Sequence, residues 1–389
     1  MMIKIAQAAK KVLVLALTLC FVAFQPPTRT VSRVSAADVV YVSKNADQSP
    51  YASIQTAIDH VADGGTVFVY PGTYTETIHI KDRTVNVLSL EGPQTTIIDG
   101  DGLDSVVWID DGADVALAGF TVENAGGEPT LVTAGYGVAV SGSSSSKAKI
   151  THNIITENSQ GGGIQIESAT LGVHLEVTID GNLITKNRFQ LWGSDGGGIH
   201  FDIPTTSDVT GFVTIQNNVI SRNTGYGAGG LRIVACCQYG APGTFAIDVI
   251  NNTVFSNTAS YGGVGGIAAN SSNLRLFNNI LYENSANHME ADLSLVQAGL
   301  TALITSNDMG DGQFVRTNGN IQADPLFVDA AADNLHLGPT SPCVDAGTSV
   351  AAPPYDFDGN NRPLGSAVDI GAYEAKVLKT FLPAIMRHR

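Results

Sequence analysis

Ile150-Thr-His-Asn153-Ile-Ile-Thr-Glu-Asn158, Ile179-Asp-Gly-Asn182-Leu-Ile-Thr-Lys-Asn187 and Ile215-Gln-Asn-Asn218-Val-Ile-Ser-Arg-Asn223 are one phrase stated three times. It returns as Val249-Ile-Asn-Asn252-Thr-Val-Phe-Ser-Asn257 and as Leu276-Phe-Asn-Asn279-Ile-Leu-Tyr-Glu-Asn284. The first asparagines are 29, 36, 34 and 27 residues apart. Four copies are followed by a glycine cluster and a short apolar run, at Gly161 to Ile164, Gly196 to Ile199, Gly229 to Leu231 and Gly265 to Ile267. Self-similarity at this period is the mark of a solenoid in which each repeat is one turn.

The phrase is too short and too alternating for a helix pair, and its apolar residues are β-branched or leucine, so it predicts strands. Stacked in parallel at about 4.8 Å per coil, such strands bury a continuous aliphatic column. Asparagine suits the corners because it tolerates left-handed backbone, and its amide can bond to the same amide one coil on. Glycine is expected at the opposite corner, where positive φ is wanted. The uneven step reflects loops of different length on one side. A propeller blade would need hairpin signals that this chain lacks. The fold predicted is therefore all-β, a parallel β-helix.

Before the repeats, Val39 to Val42 reads as a strand. Pro50 to Ala62 places Ile54, Ile58 and Val61 at helical spacing and stops at Gly64-Gly65, giving one short helix laid over the open end of the stack. Residues 37–100 thus form an N-terminal cap with the first coils, 101–322 the repeats, 323–375 a C-terminal cap segment and 376–389 a basic tail. In the first 36 residues Lys4, Lys10 and Lys11 precede the apolar run Val12 to Phe24 and the stretch ending Val34-Ser35-Ala36. That pattern predicts a secretory signal peptide cut near Ala36, its apolar run being short of the roughly 20 residues that span a bilayer.

The signal carries three lysines, two arginines and no acid, so cleavage takes 21 basic residues to 16 against 36 acidic ones, a net charge near −20. A chain so acidic repels nucleic acid and anionic membranes. The expected location is secreted or cell-surface, with no transmembrane span in the mature chain. Loss of Cys20 with the signal leaves Cys236, Cys237 and Cys343, an odd number for an exported protein. Either of the adjacent pair bonds Cys343, or the two form a strained ring together.

The opening run Tyr51-Ala-Ser-Ile-Gln-Thr-Ala-Ile58, Gly64 to Glu76 and Ile97-Ile-Asp-Gly100 resembles the start of pectin-lyase-like right-handed parallel β-helix proteins. The far end, with Ala323-Asp-Pro-Leu-Phe327, Val344-Asp-Ala-Gly347, Asp356-Phe-Asp-Gly359 and Asp369-Ile-Gly-Ala-Tyr-Glu374, is similar to the terminal segment of the bacterial choice-of-anchor Q family. The resemblance implies a right-handed coil and export. It also implies that the tail is either a surface-sorting signal or a last strand of the cap. Gly72-Thr-Tyr-Thr-Glu76 matches a block of pectin methylesterases, yet the catalytic aspartate blocks of that group are missing, as are those of polygalacturonases, so the match reads as structural.

Alternation along the strands after the glycine clusters turns Ile164, Ile166, Ile199, Phe201, Leu231 and Ile233 inward. Gln165, His200 and Arg232 then share one outward column, with Glu167 and Asp202 in the next. Carboxylate, imidazole and guanidinium at that spacing suit an ion-pair ladder, a sugar-binding groove or a proton-transfer pair. Glu167, His200, Asp202 and Arg232 are thus the catalytic candidates, with Gln165 and the rings of Tyr136, Trp192, Tyr226 and Tyr261 as candidate substrate contacts. The expected partner is a polysaccharide. For a cation, Asp356, Asp358 and Asn360 alternate through a glycine turn as calcium ligands would; the competing expectation is a structural turn in which Arg362 pairs with Asp369 or Glu374.

Overall fold

The computed structural model describes residues 38–127, 135–141, 144–168, 170, 172–189, 196–203, 209–235, 245–261, 263–271, 273–286, 292–295, 302–311 and 314–376. The expected signal peptide, Trp192, Cys236, Cys237 and residues 377–389 of the tail lie outside them. Three parallel sheets run along the stack, sheet I with ten strands, sheet II with nine and sheet III with eight, and a narrow five-stranded ribbon accompanies the middle coils. One coil passes from Ser146–Thr151 in sheet I to Ile154–Thr156 in sheet II, Ser159–Gln160 in the ribbon and Gly162–Glu167 in sheet III. His174–Asp180 then returns the chain to sheet I, pairing parallel with Ser146–Thr151. The architecture is a right-handed parallel β-helix, the hand that crossover-linked parallel strands take.

The core is the set of inward columns the alternation predicts. Ile150, Ile179, Ile215, Val249 and Leu276 supply sheet I, and Ile155, Ile184, Ile220, Val254 and Leu281 supply sheet II. Ile164, Ile166, Ile199, Phe201, Leu231 and Ile233 supply sheet III, and all are buried. They form one continuous cluster with the helix residues Ile54, Ala57 and Ile58.

Two buried ladders of amides stand at the corners on either side of sheet II. In the first, the Oδ1 of Asn182 accepts from both the backbone N–H and the Nδ2 of Asn153 at 2.9 and 3.1 Å. Asn218 repeats this on Asn182. The series runs on through Asn252 and Asn279 to Asn307 and Asn320, two members beyond the recognised phrase. The second ladder is Asn158, Asn187, Asn223, Asn257 and Asn284. Each Nδ2 also donates to a carbonyl of the preceding coil, as Asn218 does to Ile179 O at 2.8 Å. Burial of these amides is tolerable because every hydrogen-bonding atom has a partner. The second ladder ends on a carboxylate: Asn284 Nδ2 donates to Asp292 Oδ1 at 2.8 Å, and Gly310 N donates to Oδ2 at 2.7 Å. Burial outweighs those two bonds and pushes the Asp292 carboxyl up to about 6.

The conformational roles at the corners differ from the expectation. The left-handed residue is the one before each ladder asparagine, for example His152 at φ 54°, Glu157 at 56°, Lys186 at 57° and Arg222 at 56°. In the glycine clusters only Gly162 has positive φ, +97°. The remaining clusters are glycine for lack of room. A Cβ on Gly198 would lie 2.5 Å from Gly230 O and 3.0 Å from Asn223 Nδ2, and Gly163 stands likewise against Gly198 O and Asn187 Nδ2. The chain therefore enters sheet III pressed against the second amide ladder, where no side chain fits.

At the N-terminal end, helix α1 (Ile54–His60) covers the first coils with Ile54, Ala57 and Ile58. Ser53 is its N-cap, donating from Oγ to Glu76 Oε2 at 2.7 Å, and Glu76 also accepts from the backbone N–H of Ile54 and Gln55. The Gly72-Thr-Tyr-Thr-Glu76 block is thus structural. Its Tyr74 is fully buried and donates to Tyr70 O, and its carboxylate holds the helix start.

The segment 323–375, expected to close the far end, lies along the outer flank of sheet II. Leu335, Ala372 and Tyr373 pack on Val219 and Phe255, while Leu337, Cys343 and Ile370 pack on Ile280. Ile280, Val219 and Phe255 point outward and are nevertheless buried. An ion pair fastens the segment. Arg362 Nη1 meets Glu374 Oε1 at 2.6 Å, with both side chains at 1% exposure or less. Arg362 Nη2 donates to Gly371 O, Ala372 O and Asn217 Oδ1. Cys343 is a free buried thiol whose Sγ lies 3.2 Å from Asp308 Oδ2, and its two candidate partners Cys236 and Cys237 lie outside the described residues. Burial pushes that thiol well above its usual range.

Candidate functional site

Sheet III carries the residues singled out above. Gln165, His200 and Arg232 are direct partners on successive strands, and Glu167 and Asp202 are partners in the adjoining column, which continues to Val234. Residues 35 and 32 positions apart in sequence are brought to neighbouring rungs about 4.8 Å apart. Gln165 Nε2 donates to Glu167 Oε2 at 2.7 Å, and His200 Nε2 lies 4.0 Å from Asp202 Oδ2.

The environment of His200 departs from the outward, solvated position expected for it. The residue is on the outer side of the sheet but only 4% exposed. Burial draws its imidazole down to about 4; Asp202 opposes the shift and the Arg232 cation adds to it. At neutral pH the ring is therefore uncharged. In that form it can place one donor and one acceptor. Asp202 and Arg232 are half-exposed and Glu167 is exposed.

The aromatic candidates divide. Tyr136 is 5% exposed and packs with Ala139 and Phe189, so it belongs to a small apolar cluster rather than to an accessible platform. Tyr226, partly buried on that cluster, stacks on Tyr261 with centroids 5.0 Å apart and planes at 23°. Tyr261 is 67% exposed.

The same outward column holds residues that the repeat-based reading did not reach. Sheet III begins with Ile78–Lys81 and Val107–Asp110, and their register continues the column: His79 pairs with Trp108, Trp108 with Ala139, and Ala139 with Gln165. Trp108 is 38% exposed. Its ring stacks on His79 at 4.9 Å and 22°, and its Nε1 donates to Ser141 Oγ at 2.7 Å. His79 Nε2 lies 3.6 Å from Asp110 Oδ2, and Lys81 pairs with Asp111. These coils lack the asparagine phrase. Alternation in Val107-Trp108-Ile109-Asp110 was the available signal.

The candidate calcium ligands Asp356, Asp358 and Asn360 make hydrogen bonds within and beside the turn. Asp356 is buried and accepts from Asn360 N, Asn360 Nδ2 and Glu374 N. Asp358 turns to His336 Nε2 at 2.8 Å. Arg362 pairs with Glu374, one of its two expected partners, and Asp369 instead accepts from the backbone N–H of Asp345 and Ala375. Among the described residues no group of three or more His, Cys, Asp and Glu could hold a metal ion. No described helix is long and apolar enough to cross a membrane.

A family described as "Protein of unknown function (DUF1565)" matches residues 86–238, under half of the chain. Among solved structures, a pectate lyase (Pel9A) is similar at 18% identity, covering 87% of this chain and 96% of its own, with a TM-score of 0.44. A rhamnogalacturonan lyase aligns at 12% identity over 75% of this chain and 90% of its own, with a TM-score of 0.32. A pectin methylesterase in complex with a hexasaccharide aligns at 10% over 57% and 78%, with a TM-score of 0.27. With TM-scores this low the three carry no argument for this chain, and the architecture rests on its own strand register. No curated protein matches.

Proposed function

We propose that this is an exported protein, secreted or held at the cell surface, that binds a polysaccharide along the outer face of sheet III. The observation that carries the reading is the in-register column Gln165, His200, Arg232, with Glu167 and Asp202 beside it and the Tyr226–Tyr261 stack nearby in sequence. Polar side chains on three successive rungs, Gln165, His200 and Arg232, suit a polymer that repeats along the stack. Export is supported by the lysine-led apolar run Val12 to Phe24 and the expected cleavage position near Ala36. The alternative reading is a polysaccharide lyase or glycoside hydrolase, for which Glu167, His200, Asp202 and Arg232 on the same face are the candidate residues.

A glycan array with analysis of released products, run with and without calcium, separates the readings. Retention without product release, weakened by Arg232→Ala, is the expected result. New unsaturated or reducing ends that disappear in Arg232→Ala or His200→Ala would make the protein an enzyme. Failure to retain any polymer, with protein partners captured instead, would replace the glycan reading with that of an adhesion scaffold.

A further inference from the structure

Sheet III has a second part, three coils long, that the reading above leaves unused. Its outward column starts with His79 and Trp108 and reaches Gln165 two rungs after Trp108, about 10 Å along the stack. Trp108 is built as a fixed platform: one ring neighbour is His79, the indole N–H is held by Ser141, and the next residue of its column is the small Ala139. An exposed indole whose rotamer is already fixed loses little entropy on contact and offers a flat apolar surface to the C–H face of a sugar ring.

The charges on this face indicate which sugar. Lys81 is paired with Asp111 and His79 with Asp110, Arg232 has Asp202 on the neighbouring rung, and Glu167 is exposed. The cations are matched by carboxylates, and the whole chain carries a formal charge of −15. A uronate polymer would meet repulsion without a compensating row of bases.

On the reading of sheet III as a glycan face, we infer that Trp108, backed by His79 and Ser141, is the main stacking subsite for an uncharged pyranose, and that the face selects neutral over acidic polysaccharide. Calorimetric titration with neutral hexaoligosaccharides of glucose, mannose, xylose and galactose, and with hexagalacturonate, tests this. At least one neutral oligosaccharide is expected to bind, with a loss of tenfold or more in Trp108→Ala and partial retention in Trp108→Phe. Phe212→Ala, an exposed ring on sheet I, is expected to change nothing. Equal binding by Trp108→Ala, or preference for hexagalacturonate, overturns the subsite while leaving a glycan face in place. No binding by any of the five overturns both.

Discussion

Sheets II and III belong to the same coils and obey the same alternation, yet their outer faces have opposite fates. Sheet II turns Val219, Phe255 and Ile280 outward and has them covered by the chain's own residues 335–373. Sheet III turns Gln165, Arg232, Glu167, Asp202 and Trp108 outward, and the C-terminal segment packs elsewhere. In a solenoid the inward residues fix the fold and say nothing about function. The outward residues decide whether a face is a packing surface or a binding one.

The sharpest way to break this contrast is to unfasten the covered flank. Arg362→Ala leaves Glu374 buried without its cation, and such a loss costs about 3–5 kcal/mol; the fall should appear in chemical denaturation, with oligosaccharide binding retained in whatever fraction stays folded. A wild-type-like midpoint would mean that the segment is only loosely attached. Next in size is Gly198→Ala, where the added methyl meets Gly230 O and the second amide ladder. A loss of about 1–3 kcal/mol is expected, whereas positive-φ strain is not the cause and Gly198→Asn should fare no better.

The third prediction concerns pH. Burial raises the Asp369 carboxyl, on the covered flank, from 3.8 to about 6. A folded-state value above the unfolded one contributes stability that is full below about pH 4 and is lost as pH rises through 6, by up to about 3 kcal/mol. Asp369→Asn should therefore flatten the decline in unfolding free energy between pH 4 and 7, whatever its absolute stability. An unchanged slope would remove Asp369 from the account. The smallest stability effect is expected on the open face, where Trp108→Ala should stay within about 0.5 kcal/mol of wild type. A larger loss would turn Trp108 into a packing residue.

The asparagine phrase alone made the coil, the inward columns and the alignment of Gln165 with His200 and Arg232 legible, because a repeat states its geometry several times over. The corners are less legible because two demands fall on adjacent residues: His152 takes the left-handed backbone while Asn153 carries the amide. The flank position of the C-terminal segment was hidden since one apolar residue too many per phrase, such as Ile280 beside Leu281, reads equally as core. Alternation specifies direction and not cover, so it turns His200 outward without showing that the ring is buried. Trp108 is not marked by the repeat because its coil lacks the phrase, though its strand alternates as the later ones do.

Hydroxyl-radical footprinting of the protein with and without a bound oligosaccharide tests the central claim most directly. Protection of Trp108, His79 and Tyr261, with no change at Val328 and Tyr355, which are exposed residues of the C-terminal segment, is the result predicted. Protection confined to the C-terminal segment or to Phe212 on sheet I would contradict it.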